Sequence, residues 1–97
     1  MNKKNNNVLI TGAGKRIGAS IAASLAADNW NIALHYNTSK KETYKLSSQL
    51  EKKFNIKTIC VKADLSDLTQ VKNIISTASE KLGNINCLIN NAASFEY

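Results

Sequence analysis

Apolar positions along the chain recur with two alternating periods. Val8-Leu9-Ile10 is a short continuous apolar run that ends in a glycine-rich turn, the pattern of a buried strand. From Lys15 the period lengthens. Ile17, Ile21 and Leu25 fall at i, i+4 and i+8 with alanines beside them, which predicts a helix broken by Asp28-Asn29. Asn31 to Tyr36 reads as a second strand. Ser39 to Glu42 then has capping-box spacing, and the helix it opens carries Leu46, Leu50 and Phe54 on one stripe. Ile56 to Val61 is rich in β-formers and predicts a third strand. Ser66-Asp67 starts a third helix, with Val71, Ile74, Ile75, Ala78 and Leu82 at helical spacing and Gly83 at the C-cap position. Cys87-Leu88-Ile89 is a fourth apolar run.

The order is βαβαβαβ. Strands alternating with helices imply a parallel sheet, because each crossover is right-handed and returns the chain parallel. Continuously apolar strands fit a sheet covered by helices on both faces. No internal repeat or domain boundary interrupts the pattern, so 97 residues make one domain at most. The asparagine-rich first seven residues are expected to fray.

Composition narrows the function classes. The chain is 43% hydrophobic and 21% charged, ordinary for a globular protein. There are 13 basic against 7 acidic side chains, a formal charge of +6, which raises nucleic acid as a partner. The lysines are scattered, without a basic helix or interleaved aromatics, so that class is set aside. No apolar stretch is long enough to span a membrane. No apolar signal core follows the polar N-terminus, and a cytoplasmic location is expected. Cys60 and Cys87 lack metal-ligand spacing, and a single histidine leaves no metal or Ser-His-Asp site.

The strongest chemical signal is Thr11-Gly12-Ala13-Gly14-Lys15-Arg16-Ile17-Gly18, between a predicted strand and a predicted helix. Such a turn presents free backbone N–H groups and the positive end of the helix dipole. Glycines let a phosphate approach closely, so the loop suits a dinucleotide's pyrophosphate. The spacing is neither G-x-G-x-x-G nor a P-loop. A purely structural turn is the plainer alternative. Arg16 is the sole arginine beside twelve lysines, and it stands in this loop. A guanidinium recognises phosphate bidentately, as an ammonium cannot; the plainer reading is a chance surface residue.

Thr11-Gly12-x-x-x-x-Ile17-Gly18, then Asp64-Leu65, then Asn90-Asn91-Ala92 together resemble the short-chain dehydrogenase/reductase family, in family order and spacing. The resemblance covers essentially the whole chain, as the N-terminal part of a longer protein. It implies an α/β, Rossmann-type, doubly wound parallel sheet, incomplete here, with strand order 3-2-1-4. It also implies an oxidoreductase acting on a small molecule, homo-oligomeric as the parent enzyme. Gly-Ala-x-Lys-Arg-x-Gly, His35-Tyr36-Asn37 and Asn90-Asn91-Ala92-Ala93-Ser94-Phe95 resemble the pteridine reductase branch. That resemblance carries a phosphate and pterin role to Arg16 and a stacking role to Phe95. Ala93 departs from the branch, which has a serine there. By resemblance Asp64 accepts from the adenine amino group with the Leu65 backbone beside it, and Asn90, Asn91 and Ala92 line the adenosine ribose. The alternatives are an N-cap aspartate and a plain turn.

An NAD site places an acid about 20 residues beyond the glycines. Here that window holds no acid, and a 2′-phosphate would meet Lys15, His35, Asn37, Ser39 and Lys40. A carboxylate there would repel the phosphate by several kcal/mol at short range. NADP(H) is therefore expected over NAD(H). His35 reads equally as a packed aromatic or as a phosphate donor. The family's Tyr-x-x-x-Lys pair is missing: Tyr36 and Lys40 have its spacing but straddle a strand end, so no catalytic residue is assigned. The chain as given is expected to be an inactive N-terminal fragment, whose fourth strand forms an open edge. Cys60 and Cys87, with two strands between them, would lie about 14 Å apart and remain free thiols.

Overall fold

A computed structural model describes residues 6–91. Its elements are β1 (Asn7–Thr11), α1 (Arg16–Ala27), β2 (Asn31–Tyr36), α2 (Lys40–Lys53), β3 (Thr58–Lys62), α3 (Leu68–Leu82) and β4 (Cys87–Asn90). All pairings are parallel and the strand order is β3-β2-β1-β4, as expected for a doubly wound sheet.

The strand period of two divides the core into two layers. Val8, Ile10, Ile32 and Leu34 point to one face, where they meet Ala22, Ala26 and Leu50 of α1 and α2. Leu9, Ala33 and Val61 point to the other, against Ile74, Ala78 and Leu82 of α3. Burying each large aliphatic side chain contributes about 1.5–3 kcal/mol. The expected stripe Leu46, Leu50 and Phe54 on α2 does face this core.

Several expectations need correction. The buried residues of α1 are Gly18, Ala22 and Ala26, whereas Ile17 is 68% exposed. The helix lies so close to the sheet and loop that only small side chains fit beneath it, and Ile21 and Leu25 flank that line. Ile75 is likewise exposed at 43%, on the solvent flank of the α3 stripe. Ser39 stands at the N-cap of α2, but its side chain makes no capping bond. Instead its carbonyl accepts from the Thr43 amide (3.0 Å) and hydroxyl (2.7 Å). Asp67 is the N-cap of α3, accepting from the Thr69 amide at 3.0 Å. β3 begins two residues later than expected, because the Ile56 amide turns back to the Phe54 carbonyl and the ladder starts at Ile32↔Thr58.

The expected fraying does not reach Asn7, which is 3% exposed within β1. Its side chain donates to the Asn84 carbonyl (2.9 Å) and accepts from the Asn31 amide group (3.0 Å), and its backbone N–H donates to Asn86 Oδ1 (2.9 Å). Asn6 accepts from the Asn31 backbone. Residues 1–5 lie outside the described range. Cys60 and Cys87 are free, on strands separated by two others. Burial pushes the Cys60 thiol pKa up. No helix among the described residues is long and apolar enough to cross a membrane.

Candidate dinucleotide site

Parallel strands deliver all their carboxyl ends to one rim of the sheet, where ligands of such folds bind. A cleft of about 880 Å³ opens there. One wall is the β1–α1 loop with Gly12, Gly14 and Lys15 and the first residues of α1, Arg16 and Ile17; another is the end of β2 from His35 to Ser39; a third is Asp64 to Ser66 after β3; Asn91 also lines the cleft.

The loop is shaped by its glycines. Gly12 has φ of 63°, in the left-handed region that favours glycine. A methyl group on Gly18 would run into the Gly12 carbonyl and the Asn91 side chain. This close packing brings the first turn of α1 onto the rim. The first amides of a helix have no partner within it, so they face the cleft with the positive dipole end. No acid stands in that first turn to compensate, and Lys15 and Arg16 are exposed beside it.

Strand-end residues brace the loop from below. The Asn91 backbone donates to Thr11 Oγ1 (2.8 Å) and its side chain donates to the Gly12 carbonyl (3.2 Å). Thr11 Oγ1 donates to Asn90 Oδ1 at 3.0 Å. Ala13 is fully buried, and its amide donates to the His35 carbonyl at 2.9 Å. Of the expected cofactor residues, Ala13, Gly18 and Asn90 thus support the wall, whereas Gly12, Gly14, Lys15, Arg16, Ile17, His35, Asn37, Ser39, Asp64, Leu65 and Asn91 line it. Ala92 and Phe95 lie outside the described residues.

His35 resolves in one direction. It is 2% exposed, with Nδ1 accepting from the Gly12 amide (2.9 Å) and Nε2 within 2.9 Å of the Ala63 carbonyl. Both ring nitrogens are committed inside the protein, so the ring is a packed strut and not a phosphate donor. Lys40 also departs from expectation: its ammonium stands 5.8 Å from the centre of the Tyr44 ring, outside the cleft lining. Tyr36 is 6% exposed and packs edge-on to Tyr44, 6.0 Å between centroids. Burial pushes its phenol pKa up, away from what proton donation requires. Tyr36 and Lys40 therefore do not form a catalytic pair.

Asp64 is the only acid among the described lining residues. Its Oδ1 accepts from the Ser66 hydroxyl (2.7 Å) and amide (3.0 Å), which hold the carboxyl below its ordinary value. The Asp64 amide donates to Gln70 Oε1 at 2.8 Å. Because Asp67 caps α3, Asp64 is free of that duty and sits exposed at the cleft. Ser66 and Thr38 also line the cleft and were not anticipated. The Asp-x-Ser spacing, which favours an Asx turn, was the available signal for Ser66. No group of His, Cys, Asp and Glu among the described residues is placed to hold a metal.

A fully parallel sheet with a glycine turn leading into α1 and a cleft at the carboxyl ends of its strands defines a Rossmann-like α/β fold. A family model for short chain dehydrogenases matches residues 6–96, and the chain belongs to that family. It is 31% identical over 90 residues to the 3-oxoacyl-(acyl-carrier-protein) reductase FabG of Staphylococcus aureus (strain Mu50), covering 93% of this chain and 36% of that protein. The chain thus spans about a third of the length of the curated relatives it matches. Among solved structures it is similar to FolM alternative dihydrofolate reductase 1 from Brucella suis in complex with NADP. There the TM-score is 0.85 at 32% identity, over 94% of this chain and 37% of that one. A blue fluorescent protein from a metagenomic library, in complex with NADPH, gives a TM-score of 0.88 at 34% identity, over 94% and 37%.

Proposed function

We propose that this chain is the cofactor-binding portion of an NADP(H)-dependent reductase. The observation that carries the reading is the charge pattern of the rim. Lys15 and Arg16 flank the uncompensated start of α1, and the β2 end from Tyr36 to Ser39 holds no carboxylate. The residues fit a phosphorylated dinucleotide. The α1 amides suit the pyrophosphate, Arg16 and Lys15 neutralise phosphate charge, and Asn37 and Ser39 offer donors near the ribose 2′ position. Asp64 accepts from the adenine amino group, and the Asn90–Ala92 segment flanks the adenosine ribose. NADP and NADPH in the similar structures support this preference.

The bound cofactor would supply hydride chemistry. This chain's residues bind and orient it: the braced Gly12 loop fixes the phosphates, and the buried strand ends exclude water beneath them. The substrate is a small molecule bearing a carbonyl or imine, and a pterin is the favoured class. Arg16, in the loop, and Phe95 are the residues proposed to meet it, with the FolM likeness in support. Catalytic residues are not assigned to this chain; the whole enzyme is proposed to be a homo-oligomer in the cytoplasm. A non-catalytic dinucleotide-binding module is the second reading, favoured by the burial against Tyr44 of Tyr36, the one tyrosine of this chain with a lysine four residues on. Loss of NADPH absorbance in the full-length enzyme, followed with a dihydropterin and with ketone substrates, tests the proposal. Turnover of the dihydropterin is expected. Nucleotide binding without turnover of any carbonyl or imine supports the second reading and overturns the first.

A further inference from the structure

His35 ties together three chain segments at the rim. It lies on β2, its Nδ1 takes the Gly12 amide after β1, and its Nε2 meets the Ala63 carbonyl after β3. The Ala13 amide adds a second tie through the His35 carbonyl. A backbone N–H can only donate and a carbonyl can only accept. The ring is therefore the neutral tautomer with its proton on Nε2. A proton added to Nδ1 would face the Gly12 N–H, turning an attraction into a repulsion at the left-handed residue that opens the phosphate loop.

We infer that His35 is a positioning residue for the phosphate loop, that it acts only as neutral imidazole, and that its protonation weakens nucleotide binding. This rests on the reading of the cleft as a dinucleotide site. The surroundings agree. The ring is 2% exposed and shares its sheet face with Ala33, Val61 and Ala63, beneath the apolar residues Ile74 and Ala78 of α3. Lys15 and Arg16, at the start of α1, are cations and oppose a further positive charge. Asp64, after β3, is the one carboxylate at the cleft among the described residues, and its Oδ1 is engaged by Ser66. Tyr36 and Lys62 point to the opposite sheet face. Burial lowers the His35 pKa from the ordinary 6.5, and the Ala63 bond only partly opposes this.

The test is NADPH affinity of the protein, by calorimetric titration between about pH 8 and about pH 5, for wild type, His35→Asn and His35→Leu. The cofactor's own 2′-phosphate titrates in this range and is common to all three, so the difference between variants isolates the ring. His35→Asn keeps an acceptor for Gly12 that does not titrate. It is expected to bind roughly three-fold more weakly at the upper pH and to lose the extra weakening that wild type shows on acidification. His35→Leu is expected to bind roughly ten-fold or more weakly throughout, with its fold checked by circular dichroism. In the unliganded protein the Gly12 amide resonance should move with the His35 ring titration. A pH profile shared by wild type and His35→Asn, or a Gly12 resonance indifferent to that titration, overturns the inference alone. Absence of binding by NADPH and NADH at every pH overturns the reading of the cleft, and this inference with it.

Discussion

At the amino ends of the strands, Asn7, Asn31, Asn84 and Asn86 bond to one another, and Asn31 Oδ1 also accepts from the Lys57 amide. At the carboxyl ends, polar groups are just as dense, yet the α1 amides, Lys15, Arg16, Asn37 and one side of Asp64 face an open cleft. The two rims close the same sheet with similar chemistry. One satisfies its donors internally and adds stability. The other satisfies only its lower tier, Thr11, His35, Asn90 and Asn91, and leaves the upper tier for a ligand. On the proposed reading, a polar residue of this rim is functional not because it is polar but because its partner is the bound cofactor.

Substitutions can break this contrast. Gly18→Val touches both tiers, since the added side chain meets the Gly12 carbonyl and Asn91. It should cost about 1–3 kcal/mol of stability by overpacking and also abolish measurable NADPH binding. Paired denaturant and ligand titrations check this. Asn7→Ala should be confined to the closed rim. It strips two side-chain bonds and leaves buried groups unpaired, costing about 2–3 kcal/mol in chemical denaturation. NADPH affinity at saturating folding should be unchanged. Arg16→Ala is the mirror case. It should weaken NADPH binding roughly ten-fold through loss of a charge-assisted contact, while stability shifts by less than about 0.5 kcal/mol.

The smallest expected effect is on stability against pH. The folded pKa of His35 lies below its unfolded value. Its neutral form therefore stabilises the fold fully above the ordinary 6.5, and that contribution fades as pH falls from there through the folded pKa. Thermal unfolding of wild type should lose more stability across this window than His35→Asn does. Parallel curves would contradict the assignment.

Much of this was legible in the sequence. Element order and the parallel sheet followed from the alternation of periods, because each buried face demands its own spacing, whereas the 3-2-1-4 strand order came from the family resemblance. The cleft followed from Gly12, Arg16 and Asp64, whose spacing is local to loops. What escaped depended on distant partners. The small-residue face of α1 was hidden because Gly18, Ala22 and Ala26 carry little hydrophobic signal, although close approach to Gly12 and Asn91 selects them. Asn7 read as tail because its partners Asn84 and Asn86 lie at the far end of the chain. His35 stayed undecided between packing and phosphate until Gly12 and Ala63 appeared on either side of its ring. The Ser39 capping box failed because Ser39 has φ −86° and ψ 51°, outside the extended region from which an N-cap side chain reaches the first helical amides, a backbone choice that spacing cannot express.

The central claim is that the open rim selects a phosphorylated dinucleotide through cations at α1 and an acid-free β2 end. Its most direct test is the ratio of NADH to NADPH dissociation constants, measured on one preparation at one ionic strength. The account predicts NADPH binding tighter by about ten-fold or more, the worth of one charge-assisted phosphate contact. Equal affinities, or tighter NADH, would contradict it.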